Sequence, residues 1–132
     1  MIATHMVNSL ADTARAAART LNVATGAERS AALNAIADAM IARGAEIIAA
    51  NEEDMVRARA AKINSSLLDR LLLTPARVEG IANGARQVSK LPDPLGIILR
   101  HSTLPNGIDL QQITVPFGVI GMVYEARPNV TV

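Results

Sequence analysis

Residues 115–132 read VPFGVIGMVYEARPNVTV. An unbroken apolar run at 117–123 leads into a polar cluster of Tyr124, Glu125, Arg127 and Asn129. A short continuous apolar run bounded by turn residues reads as a strand buried on both faces, the kind found in a parallel sheet. Polar residues at the end of such a strand lie where α/β folds place their sites. A parallel strand needs a partner, reached through a crossover. No partner follows residue 123, so the expectation is one opening strand of an α/β sheet, carried by a fragment of a larger protein.

Working back towards the N-terminus, IILRHSTL and IDLQQITV are two strand-like runs joined at Pro105-Asn106-Gly107. Asn-Gly tolerates positive φ and marks a hairpin. Alternation slips in the second run, because Ile108 and Leu110 share one parity while Ile113 and Val115 have the other. A bulge, or a crossing between two packing surfaces, would account for that.

The segment before LPDP (Leu91–Pro94) reads as helix. Asn8 or Ser9 is expected to cap a first helix with Leu10, Ala14, Ala17, Ala18 and Leu21 on one face. Thr25 and Glu28 fit a capping box for a second, with Leu33, Ile36, Ala37, Met40 and Ile41 at helical spacing and Gly44 as its stop. A third helix carries Glu52, Glu53 and Asp54. Adjacent helix positions point in different directions, so this triplet reads as a solvated face with Arg57 and Arg59 as charge partners, not as a metal site. Ser65 or Ser66 is expected to cap a fourth. Thr74-Pro75 opens a fifth, with Val78, Ile81, Ala85 and Val88 as its buried stripe.

The chain has 132 residues, half of them apolar, but Phe117 and Tyr124 are its only aromatics. Much of the apolar fraction is alanine, which favours helix and buries little area per residue. A core built this way is thin and calls for further chain to cover it. A net charge of +1 gives no electrostatic case for nucleic acid or an anionic membrane. There is no cysteine, hence no thiolate ligand or thiol nucleophile in these residues. No apolar run is long enough to span a bilayer, and no signal peptide is evident.

For chemistry, His5 and His101 are far apart and read as surface or packing residues. Gly118 and Gly121 sit inside the expected strand and lack the third glycine of a dinucleotide loop, so close packing is their simpler role. The terminal cluster says more. Arg127 has the paired donors that grip a carboxylate or phosphate. Asn129 offers an amide donor suited to an oxyanion. The competing reading is a strand-to-helix turn with a Glu125–Arg127 pair and Asn129 as a cap.

These residues closely resemble the γ-glutamyl phosphate reductase family, glutamate-5-semialdehyde dehydrogenases of the aldehyde dehydrogenase superfamily. YEARPNVT carries the resemblance most specifically, with LPDPLG and LPNGIDL before it and AANEEDM and LLDRLLLTPARVEGIANGARQV further upstream. The match extends over nearly the whole chain from Leu10. The resemblance implies an aldehyde dehydrogenase-like α/β fold. Residues 1–132 would be the incomplete N-terminal part of the cofactor-binding domain: helices, a β-hairpin oligomerisation arm at 96–115, and the first strand of a Rossmann-like sheet. The catalytic domain would be absent.

It also implies a reaction: NADPH reduces γ-glutamyl phosphate to glutamate 5-semialdehyde with release of phosphate, in proline biosynthesis. In that family a cysteine thiolate forms a thioester that accepts hydride. This chain departs from the pattern because it has no cysteine, and alone it is expected to be inactive. The resemblance places Tyr124, Glu125 and Ala126 at backbone contacts to the cofactor. An ungapped match puts Arg127 at the oxyanion asparagine, and a shifted one puts Asn129 there. The neutral amide favours Asn129, leaving Arg127 for the substrate's phosphate or carboxylate. A cytoplasmic homo-oligomer, functionally linked to glutamate 5-kinase and free of nucleic-acid or membrane partners, completes the expectation. The alternatives are a non-catalytic helical interaction module with a β-hairpin, and a small-molecule binding domain built on the Arg127–Asn129 turn.

Overall fold

The helices form where alanine, leucine and charged residues run without an interior proline, and they stop where that supply fails. The computed structural model describes residues 2–124 and 127–130, with backbone only for 2–5. In chain order the elements are α1 (Ile2–Val23), α2 (Gly26–Ala42), α3 (Gly44–Ala60), α4 (Ser65–Leu71), α5 (Pro75–Val88), β1 (Ile98–Thr103), β2 (Asp109–Ile113) and a 3-10 turn at Pro128–Val130. The backbone divides into two units. One comprises Met1–Gly26 with Pro92–Gly121, the other Ala27–Leu91 with Met122–Val132.

In the first unit α1 starts at Ile2, not at Asn8 or Ser9. No glycine or proline precedes Asn8 to stop the helix, so both expected caps lie inside it, and the Thr13 hydroxyl donates to the Ser9 carbonyl at 3.0 Å. Ala14 and Ala18 are half-buried on the expected face, while Leu10 and Leu21 stay exposed. Gly26 opens α2, and a Cβ built there would lie 2.6 Å from the Asp93 carboxylate, so any side chain at this position would have to displace Asp93.

The hairpin forms as expected. β1 and β2 pair antiparallel, with Ser102 opposite Leu110 and Thr103 opposite Asp109. Gly107 adopts φ +86°, and its N–H donates to the Leu104 carbonyl at 2.8 Å. The irregularity lies on β1 between Ile98 and Arg100, not within the second run whose alternation slips. One extra residue on β1 shifts the pairing relative to β2. Thr114 ties the base of the hairpin by accepting from the Ile97 N–H and donating to the Pro94 carbonyl.

Residues 117–123, expected as a buried strand, form no ladder among the described residues. Phe117 is 96% and Val123 101% exposed. A strand is completed by a partner's backbone groups, and among the described residues none pairs with this run. Gly118 takes φ +84° with open space around its Cβ position, so it serves backbone conformation, not the close packing expected of it.

In the second unit the core is alanine-rich. Ala37 and Ala82 are fully buried and pack with Ala85 and the half-buried Met40, while Met55, Ala58 and Val78 are buried nearby. Gly44 does not end α2. It is the first residue of α3, after a single turn residue, Arg43. α4 is capped by Asn64, not by Ser65 or Ser66: its side chain accepts the Leu67 N–H at 2.9 Å. Thr74 caps α5 as the Thr-Pro pair predicts, accepting the Arg77 N–H at 3.2 Å. On α5, Val78 and Ala85 are buried as expected and Ile81 is half-buried, but Ala82 takes the place assigned to Val88, which is 52% exposed.

Candidate functional site

Within the second unit the C-terminal turn meets the helices. Asn51, 5% exposed on α3, is the fixed point of this arrangement. Its side chain holds the short link between α4 and α5 from both sides, donating to the Leu71 carbonyl and accepting the Leu73 N–H. Arg77, one turn into α5, reaches back over the same link. It pairs with the Asp69 carboxylate at 2.8 Å, donates to the Leu72 carbonyl at 2.9 Å and also donates to the Asp69 carbonyl.

These contacts shape one wall of an open groove of about 1290 Å³. Leu72 and Leu73 line it from the link, and Ala76, Gly80 and Gly84 line it from α5. A Cβ at Gly80 or Gly84 would meet nothing within 4 Å, so this face of α5 leaves the groove wide. Arg127, Asn129 and Val130 form another part of the lining. Arg127 and Asn129, singled out from the sequence, therefore share one concave surface. The 3-10 turn brings them together: Pro128 opens it, and the Val130 N–H donates to the Arg127 carbonyl at 3.0 Å. Arg127 and Asn129 are exposed, while Pro128 and Val130 are half-buried.

The charged residues on the groove are Asp69, Arg70, Arg77 and Arg127. Sequence reading did not single out the first three. Their only signal was a charged pair, Asp69-Arg70, beside a Thr-Pro helix start, and nothing local to it points at Arg127. Tyr124 is 45% exposed and is not part of the lining. Glu125 and Ala126 lie outside the described residues, and with them their expected cofactor contacts and the Glu125–Arg127 pair.

Elsewhere several charges form local pairs, and one pair is long-range: Arg86 of α5 reaches Asp38 of α2 at 2.6 Å. On α3, Glu53 and Asp54 both pair with Arg57, the solvated-face pattern expected. His101 approaches Asp109 across the hairpin at 3.6 Å, both exposed. Arg43 and Glu46 form an exposed two-pronged pair at the start of α3. This hydrogen bond, reinforced by the opposite charge, holds the Glu46 carboxyl below the usual carboxylate range and raises Arg43. No helix of the described residues is long and apolar enough to cross a membrane.

No family model matches the chain. A γ-glutamyl phosphate reductase of Thermobifida fusca is 48% identical over 126 residues, which is 96% of this chain and 30% of that protein. The crystal structure of the γ-glutamyl phosphate reductase of Thermotoga maritima superposes with a TM-score of 0.87 at 36% identity, covering 92% of this chain and 29% of that one. That of Saccharomyces cerevisiae gives 0.73 at 33% identity, covering 82% and 28%. The chain thus spans somewhat under a third of the length of the relatives it matches. In sequence and in fold it is similar, over nearly all its own length, to part of the γ-glutamyl phosphate reductases, with their aldehyde dehydrogenase-like α/β architecture.

Proposed function

We propose that this chain is the N-terminal part of an NADP-dependent γ-glutamyl phosphate reductase, the oxidoreductase of proline biosynthesis that converts γ-glutamyl phosphate to glutamate 5-semialdehyde and phosphate. The names of its relatives favour this over a non-catalytic helical module. The observation that carries the site assignment is that Arg127 and Asn129 line one groove with α4 and α5. In this reading the Asn129 side-chain amide donates to the acyl oxygen as negative charge develops on it. The Arg127 guanidinium takes an anionic group of the same substrate through paired donors.

NADPH, when bound, supplies the hydride. Val123 is fully exposed and Tyr124 half so, which leaves the end of the apolar run open to a ligand. That fits contact with one part of the cofactor and no more, because the sequence has no glycine-rich diphosphate loop. The chain has no cysteine, so the thioester step belongs to residues outside it. Alone it is inactive and shows little NADPH binding. The hairpin is the proposed oligomerisation arm: Ile98, Leu110 and Ile113 are all about half exposed.

The test is Arg127→Ala in a full-length reductase carrying this sequence. A raised KM for γ-glutamyl phosphate is expected, and an unchanged KM and kcat would remove Arg127 from the site. Sedimentation of the same protein tests the arm, and a monomer at micromolar concentration would count against it.

A further inference from the structure

We infer that Arg70 is a second anion-binding residue of this groove, taking the α-carboxylate of the substrate while Arg127 takes its phosphate. This rests on the reductase reading above. Of the four charged residues on the groove, two cancel: Asp69 is held by Arg77 at 2.8 Å, and the Arg77 Nη1 group donates to the Asp69 and Leu72 carbonyls. Among the described residues, the Arg70 and Arg127 side chains make neither a hydrogen bond nor an ion pair. Among the described residues the groove thus keeps two guanidinium groups without a partner, on α4 and beside the C-terminal turn, and its lining also includes the apolar Leu72, Ile81 and Val88. That pattern matches a ligand with an anion at each end of an aliphatic chain.

The substrate's own chemistry decides which cation takes which end. The phosphate is bonded to the carbon whose oxygen Asn129 would polarise, and Arg127 lies two residues from Asn129 in the same turn. The α-carboxylate sits at the other end of the side chain and falls to the cation on the other element. Arg70 is well anchored for this. Its backbone neighbours are pinned by the Asn51 bonds to Leu71 and Leu73, and α4 is capped by Asn64, while its own side chain remains uncommitted.

The full-length enzyme, run in the oxidative direction, separates the two anions. Glutamate 5-semialdehyde, inorganic phosphate and NADP+ combine there to give the acyl phosphate, NADPH and a proton, so semialdehyde and phosphate each have their own KM. Arg70→Gln is expected to raise the semialdehyde KM about tenfold, the scale of one lost charged hydrogen bond, with kcat and the phosphate KM nearly unchanged. Arg70→Lys, which keeps the charge, recovers part of the loss. An unchanged semialdehyde KM in Arg70→Gln, or a rise confined to phosphate, overturns the inference. If Arg70→Gln fails to fold, Arg70→Lys decides: a semialdehyde KM raised a few-fold supports the assignment and a wild-type value defeats it. If Arg127→Gln raises the phosphate KM while the Arg70 variants change nothing, this inference fails and the reductase site stands. If neither arginine affects either KM, the site reading itself fails.

Discussion

The Asn51 side chain closes on Leu73: its Oδ1 accepts the Leu73 N–H at 2.7 Å while its Nδ2 donates to the Leu71 carbonyl at 2.9 Å. One buried amide thereby satisfies two backbone groups from a segment some twenty residues further along the chain. It sets the height of the link that Leu72 and Leu73 contribute to the groove. Asn51→Leu removes both partners at once and leaves backbone groups without compensation. A loss of about 1–3 kcal/mol is expected. It is measured as a lowered urea midpoint at unchanged m-value, with lost hydrogen-exchange protection at the Leu73 amide.

The Thr74 hydroxyl accepts the Arg77 N–H in the exposed first turn of α5. Thr74→Ala should cost about 1 kcal/mol and Thr74→Ser much less, since serine keeps the oxygen. Thermal melts of the two variants side by side check this. Equal melting temperatures for both would show that Pro75 alone starts the helix.

Gly26 is held against Asp93, whose Cγ lies 3.1 Å from where a Cβ would stand. Gly26→Ala is expected to destabilise by roughly 1 kcal/mol, within the ordinary range for local crowding. Adding Asp93→Ala should recover part of that, so the double-mutant cycle should show coupling between the two sites.

Glu46 titrates below the ordinary carboxylate range because Arg43 hydrogen-bonds and attracts its charged form. A depressed folded-state value places the sign: the pair's contribution is present above the unfolded carboxylate value and is lost as pH falls through the lower, folded one. NMR titration of the Glu46 side chain should show the depressed midpoint, and Arg43→Ala should return it to normal. Both residues are exposed, so the melting temperature at neutral pH should hardly move.

How much could be read in advance varied with the range of the forces involved. Thr74-Pro75 and Asn106-Gly107 were legible because a cap and a tight turn are settled within four residues. Gly44 misled, because a glycine between two helical stretches reads equally as an end or a beginning. Only the single turn residue Arg43 separates α2 from α3. Asn64 was overlooked beside two serines equally able to cap, since it is the residue with extended backbone just before the first helical turn. Ala82 displaced Val88 from the α5 stripe because burial depends on which helix lies opposite. Arg127 and Asn129 were legible as chemistry, but their groove neighbours Asp69, Arg70 and Arg77 lie more than forty residues away in sequence.

Local chemistry and periodicity, then, were enough to establish five helices, one hairpin and a polar cluster at the end of an apolar run, because caps, turns and helical repeats depend on residues within a few positions of one another. The meeting of Arg127 and Asn129 with α4 and α5, and the pinning of their link by Asn51, belong to the folded chain alone. Packing and burial act between segments that are distant in sequence, and an apolar run becomes a strand only beside another backbone, which residues 117–123 lack among the described residues.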